Sequence, residues 1–378
     1  MKILHTADLH IGKLVNGFSM LSDQKYILEE ILKITDREQP DVLIIAGDVY
    51  DKSVPSAEAV ALFDDFLCRL AKRNLQIFII SGNHDSAERI AFGGRLMEQS
   101  GVHLSPVYRK GIRPIVLADE HGPVNFYLLP FIKPVHVRMQ FPEEEIRTYA
   151  DAVRTAVNGL LIDCAERNVL VTHQFIAGSE RSDSEEMSVG GTDSIPSSVF
   201  DNFDYVALGH IHKPQRAGRE TVRYSGSPLK YSISEASHSK SVTIVELGEK
   251  GEVRISTESL KPLRDIRVMK GTYDELMHKG FYSGFHTGDY CHVILTDEEN
   301  IPDALRKMQT VYPNIMRLDY DNLRTQNRQS LIFDEKSDEK PPLELVEDFY
   351  KLQNNSPLTD SQKSFAEHLI KTIWEERT

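Results

Sequence analysis

Five apolar runs in this chain of 378 residues end in acids, amides or histidines, and that repeated ending constrains the fold more than any other feature. In order they are the run into DLH (Asp8–His10), PDVLIIAGDVYD (Pro40–Asp51), LQIFIISGNHD (Leu75–Asp85), NVLVTH (Asn168–His173) and DYVALGHIH (Asp204–His212). A near-continuous run of Val, Ile and Leu reads as a strand covered on both faces. Between these runs lies helical periodicity. Residues 19–38 place Leu21, Tyr26, Ile27, Ile31, Leu32 and Ile34 on one face, and Ser56 reads as the N-cap of a helix reaching Leu70, with Glu58 in its first turn. The alternation predicts an α/β layered fold with its functional loops at strand ends.

Further along, PIVLA and VNFYLLPF are strand-like, residues 143–167 read as helix, and Gly178–Pro196 reads as a long surface loop rich in Ser, Gly, Asp and Glu. KSVTIVEL, with the GSP at Gly226–Pro228, is expected to complete a second sheet. Composition shifts near Leu260–Arg264, and residues 265–320 read strand, helix, strand, helix, strand, a small α+β unit. The acidic linker DEKSDEKPP (Asp334–Pro342) precedes helical patterns at 343–352 and 359–375. The expected units are 1–262, 263–325 and 326–378.

Three widely spaced cysteines, Cys68, Cys164 and Cys291, argue for a reducing compartment and against a disulfide framework. MKILHTADLH reads as a strand entering a motif and not as a signal peptide, and no stretch is long enough to span a membrane. The expected location is cytoplasmic. A net charge of −13 disfavours a broad basic face for nucleic acid, so any such contact is local, metal-mediated or shared with a partner.

The candidate ligands are Asp8, His10, Asp48, Asn83, His173, His210 and His212. In an extended segment, residues i and i+2 share a face, so His210 and His212 are expected to reach one point while Ile211 turns to the core. Taken singly these motifs are weak, since GDxxD also suits a turn and His173 also suits a hydrogen-bonded core. Together they offer seven oxygen and nitrogen donors, too many for one transition metal but suited to two. Asp48 is the natural bridge, with Asp8, His10 and His212 on one ion and Asn83, His173 and His210 on the other. Carboxylate, amide and imidazole donors favour Mn²⁺ or similar borderline ions over a thiolate-type zinc site. A metal pair of this kind suits in-line hydrolysis of a phosphate ester.

The order DLH, GDVYD, GNHD, VTH, GHIH resembles the calcineurin-like metallophosphoesterases. Within them TADLHIGK, GDVYDKSVPSAEA, GNHDS and ALGHIHKPQ followed by YSGSPLKYS resemble the SbcD-type nuclease subunits. The resemblance implies an αββα core of two packed sheets, with a small α+β capping domain and C-terminal helices. It implies a manganese-dependent nuclease for DNA repair, recombination and replication, with 3′→5′ exonuclease and endonuclease activity on DNA ends, hairpins and single strands. It also implies a dimer of nuclease subunits joined to two SbcC-type P-loop, coiled-coil ATPases, working at DNA ends in the nucleoid. It adds His84 as a non-ligand histidine beside the leaving group. Adjacent in sequence, Asp85 is expected to hold the His84 ring. No GxxxxGK[ST] loop occurs in this chain, which agrees with ATP being a partner's business. Apolar faces at Leu343, Leu345, Val346, Phe349 and Tyr350, and at Phe365, Leu369, Ile370, Ile373 and Trp374, suit helix-in-groove docking of that ATPase. The alternative is a cyclic-nucleotide or other small-molecule phosphodiesterase of the same superfamily. A phosphoprotein phosphatase fits less well, because Lys52-Ser53 follows the second motif and the third ends in Asp85.

Overall fold

The structure, a computed structural model, describes residues 1–185, 194–323, 325, 341–354 and 357–375. The chain forms two compact units, Met1–Asp265 and Ile266–Thr378.

The first unit holds two six-stranded sheets. One has the order Val253–Ser259, Ser241–Leu247, Lys2–Thr6, Val42–Ala46, Gln76–Ile80, Val102–Leu104. The other runs Gln215–Ala217, Arg219–Tyr224, Tyr205–Gly209, Arg167–His173, Gly122–Leu129, Ile115–Asp119. The motif-bearing strands lie side by side with parallel neighbours near the centre of each sheet. Alternation then builds the layers. Val169, Val171, Tyr205 and Ala207 face Ile3, Val42, Ile44, Phe78 and Ile80 in a shared core between the sheets. Leu170, Val206 and Leu208 face the other way, onto Ala152, Val153, Ala156 and Val157 of the helix Tyr149–Asn158. Against the first sheet, Leu21–Glu38 and Ala57–Ala71 supply the remaining helical layer, the latter capped by Ser56, whose side chain accepts from Ala59 N. The architecture is the layered αββα arrangement.

Two local expectations differ. KSVTIVEL joins the first sheet, not the second: Ser241–Leu247 runs antiparallel to the N-terminal strand, pairing Ile3 with Val245. Of residues 143–167 only Tyr149–Asn158 is helical, because Thr148 and Asp151 form a capping box at its start and Gly159 stops it. The expected loop 178–196 lies outside the described residues at 186–193, and the expected linker at 334–340.

In the second unit, Ile266–Gly271, Tyr290–Leu295 and Ile315–Tyr320 form a three-stranded parallel sheet around Met269, Leu276, Cys291, Val293 and Met308. Helices Pro342–Asn354 and Asp360–Glu375 follow. Leu345, Val346, Phe349, Phe365 and Leu369 on these helices are exposed. No helix among the described residues is long and apolar enough to cross a membrane.

Candidate metal centre

The loops after the motif strands meet, and their backbones are unusual. The left-handed φ region is costly for any residue with a Cβ. Yet φ is 54° at Asp8, 43° at His10, 47° at Asp48 and 103° at His210. Asp8 and His10 lie past the end of their strand at Thr6, and His210 and His212 past Gly209. The i, i+2 argument from an extended segment therefore does not hold here; a turn aims these side chains. His210 and His212 consequently diverge to different neighbours, while Ile211 is fully buried.

The first two loops extend the sheet's ladder: Asp8 N donates to Gly47 O, His10 N to Asp48 O and Ile11 N to Val49 O, at 2.9–3.1 Å. Gln24 clamps the first loop, donating to His10 O at 2.7 Å and accepting from Gly12 N at 2.9 Å. Asp85 ties the second loop to the third by accepting from Val49 N, Tyr50 N and Gly82 N, each at 3.0 Å. Burial, with the nearby Asp48 charge second, raises the Asp85 carboxyl to about 6. Glycine is required where loops touch. A Cβ on Gly82 would lie 2.1 Å from Asp48 Oδ1, and one on Gly47 would lie 2.4 Å from His173 Nδ1.

Two groups of donors result. His10 Nε2 lies 3.1 Å from His212 Nε2, and Asp8, His10 and His212 form one cluster of ligand atoms. Asn83 Oδ1 lies 3.0 Å from His173 Nε2 and 2.9 Å from His210 Nδ1. Asp48 Oδ2 sits between them, 3.6 Å from His10 Nε2 and 3.3 Å from His173 Nε2. Asp8 is oriented by accepting from His210 N at 2.9 Å. Asp8, His10, Asp48, His173 and His212 are all buried.

These atoms fit a cation. His173 Nδ1 faces the carbonyl of Ala46 at 2.9 Å and must donate to it. In the neutral ring, Nε2 would then turn a lone pair toward two acceptors, Asn83 Oδ1 and Asp48 Oδ2. Only a proton or a metal ion between them relieves that. The same demand appears in the ionisation. Burial opposes charge on His173, but Asp48 and Asp8 outweigh it and push its pKa up to about 9. Burial raises Asp8 to about 7 and lowers His210 to about 3. Burial works against Asp48 too, yet His173 and His10 hold it far below the carboxylate range.

His84 stands beside this group. Its ring centroid is 4.8 Å from that of His10, and it shares a cluster of ligand atoms with His10 and Asp48. Its backbone N donates to Asp48 Oδ1 at 2.9 Å. Asp85 does not hold its ring, contrary to expectation, because three backbone amides occupy that carboxylate. The ring's Nδ1 instead donates to Asp51 O at 3.1 Å. Sequence reasoning also missed the residues behind His212. Ser184 Oγ is 2.8 Å and Glu235 Oε1 3.2 Å from its Nδ1, and Glu185 Oε1 accepts from its backbone N at 2.8 Å. The Ser- and Glu-rich stretch that reads as surface loop thus packs on a candidate ligand. Only the acid in SISE, just past the YSGSPLKYS run, hinted at Glu235.

The chain belongs to the calcineurin-like phosphoesterases, whose family pattern matches residues 1–214. It is 34% identical over 377 residues, 99% of each chain, to the SbcD subunit of the nuclease SbcCD of Staphylococcus epidermidis. Residues 262–354 match a family described as the type 5 capsule protein repressor C-terminal domain. Within the phosphoesterases it is thus an SbcD-family chain. Solved structures of a Thermus thermophilus protein (TM-score 0.38) and of a dimetal phosphatase from Danio rerio (TM-score 0.39) are each 12% identical, covering 69% of this chain and 99% of the other.

Proposed function

We propose that this chain is a metal-dependent DNA nuclease that hydrolyses phosphodiester bonds as the nuclease subunit of an SbcCD-type complex. The observation that carries the chemistry is the Asp48 carboxylate, set between His10 Nε2 at 3.6 Å and His173 Nε2 at 3.3 Å. Asp8, His10 and His212 would hold one divalent ion and Asn83, His173 and His210 the other, with Asp48 shared. We assign Mn²⁺ to both from the mixture of carboxylate, amide and imidazole. When bound, such a pair supplies a water nucleophile at neutral pH and offsets charge on the phosphoryl group. Burial of Asp8, His10, Asp48, His173 and His212 limits solvent access to those donors, while Asn83 and His210 are partly exposed. His84 supplies the proton. Its Nδ1–H stays on Asp51 O whether or not Nε2 is protonated, so Nε2 can give a proton to the leaving oxygen without the ring turning.

The partner reading follows the family. The exposed Leu345, Val346, Phe349, Phe365 and Leu369 suit docking of an SbcC-type ATPase, in a heterotetramer built on a dimer of nuclease subunits. DNA is the substrate and the cytoplasm the place of action.

The test is cleavage with Mn²⁺ of linear duplex and single-stranded DNA, a cyclic nucleotide and a phosphopeptide. DNA should be cut and the other two left intact. Asp48→Asn is nearly isosteric and should abolish cleavage in a folded chain. Preference for the cyclic nucleotide, or more than a tenth of wild-type activity in Asp48→Asn, would refute the reading.

A further inference from the structure

Behind His212 lies a buried polar group that the reaction as described does not use. Glu235 and Lys240 are 0% and 5% exposed. Lys240 Nζ donates to Glu235 Oε2 at 2.5 Å, to His212 O at 2.8 Å and to Ser227 Oγ at 2.9 Å. The other oxygen, Glu235 Oε1, accepts from Ser184 Oγ at 2.5 Å and faces His212 Nδ1 at 3.2 Å. Ser184 Oγ lies 2.8 Å from the same nitrogen. Also nearby are His238 Nδ1, 4.0 Å from Glu235 Oε2, Ser232 Oγ, which donates to Glu235 Oε1 at 3.5 Å, and Ser182 Oγ, 2.9 Å from Ser184 Oγ.

The proton positions follow from chemistry. The Ser184 hydroxyl spends its one proton on Glu235, so it presents lone pairs to His212 Nδ1. Both neighbours of Nδ1 are therefore acceptors, and Nδ1 must carry the hydrogen. That leaves the Nε2 lone pair pointing at His10 Nε2, 3.1 Å away, in the Asp8–His10–His212 cluster. A buried Glu–Lys pair is weak as a source of stability, since desolvation consumes most of its attraction. Its placement on the far nitrogen of one ring gives it a different use.

We infer that Glu235, with Ser184 as relay and Lys240 as counter-charge, is a positioning residue that fixes the tautomer and direction of His212 toward one of the two ions. The inference rests on the metal-centre reading. It makes the two ion sites unequal. One has a carboxylate-backed histidine. The other has His173, whose Nδ1 donates to the neutral carbonyl of Ala46 at 2.9 Å, with the carboxylate oxygen Asp8 Oδ1 at 3.9 Å, beyond hydrogen-bond reach. Loss of such a backing group costs about 10–100-fold in metal affinity.

Calorimetric titration of the apo full-length chain with Mn²⁺, alongside electron paramagnetic resonance of the loaded protein, tests this. Wild type should take up two ions and show the exchange-coupled signal of a close pair. In Glu235→Gln one ion should bind about 10–100-fold more weakly, the other should be unchanged, and the coupled signal should give way to that of isolated Mn²⁺ at limiting metal. Glu235→Gln/Lys240→Met removes the charge imbalance and should show the same selective loss, so it decides the matter if the single variant does not fold. Two ions at wild-type affinity in the folded variants, with the coupled signal intact, would overturn the inference alone. A wild type that takes up fewer than two ions would overturn the metal-centre reading and this inference with it.

Discussion

Gly209→Ala asks how closely the two sheets must approach for the centre to exist. A Cβ at Gly209 would stand 1.8 Å from Ala46 O and 2.6 Å from His173 Nδ1, where real Cβ contacts do not fall below 3.0 Å. Ala46 ends a fully buried strand of one sheet and Gly209 ends a strand of the other, so more than an ångström of separation has to open between them. Overpacking of this kind costs about 1–3 kcal/mol. The His173 Nδ1–Ala46 O bond is wedged apart as well, worth about 1 kcal/mol. The expected loss is about 2–4 kcal/mol in urea unfolding. Displacing His173 by about 1 Å should also lower metal-dependent DNA cleavage by roughly 10²-fold. Gly17→Ala is the control. Gly17 has φ +84° and nothing within 4 Å of an added Cβ, so it should lose only about 1–2 kcal/mol of backbone strain and keep full activity. If Gly209→Ala unfolds within about 0.5 kcal/mol of wild type, roughly the noise of a surface change, or cleaves DNA like wild type, the steric reasoning is wrong.

His84→Gln should lower turnover about 10²–10⁴-fold while calorimetry still finds two Mn²⁺ ions; a nitrophenyl phosphodiester, with its better leaving group, should recover part of the loss, and loss of an ion would make His84 a ligand instead. His5, fully buried with Nδ1 2.8 Å from Tyr205 OH, has its pKa lowered by burial to about 3. Its folded pKa lies below the unfolded value of about 6.5, so the unfolded chain binds the extra proton between those values. Its contribution is whole above about pH 6.5 and is lost as pH falls toward 3, at about 1.4 kcal/mol per unit. His5→Gln should therefore flatten the fall in urea stability between about pH 6.5 and 4.5 by about 2–3 kcal/mol, and a constant offset between variant and wild type across that range would contradict the assignment.

Much of the layered fold is legible because buried parallel strands demand runs such as VLIIA and IFII, which few other elements tolerate. The gathering of Asp8, His10, Asp48, Asn83, His173, His210 and His212 could be anticipated because each ends such a run. What stayed hidden depends on partners distant in sequence. KSVTIVEL reads as a strand but carries no mark of which sheet receives it, and its partner lies some 240 positions back. Gly12 and Gly47 mark two of the turns, but Asp8, His10, Asp48 and His210 adopt left-handed φ themselves, which residue type does not advertise. Glu235 meets Ser184 across 51 residues and His212 across 23, in a stretch whose composition looks like any polar loop. The Asp85 expectation failed for a related reason: adjacency in GNHD says nothing of the backbone amides that reach that carboxylate first.

The N-terminal strand lies inside its sheet, between Val42–Ala46 and Ser241–Leu247. During synthesis its first flank is available almost at once, the second only after Leu247 has left the ribosome. At about 5–20 residues per second, those intervening residues take roughly 10–40 seconds to make. Throughout that interval the nascent sheet offers Lys2, Ile3, Leu4 and His5 as an unpaired edge, the kind of edge that recruits stray strands. Growth of this protein in the cell is thus a wait for its own distant segment, and a chain that stops short of Ser241 never closes that edge.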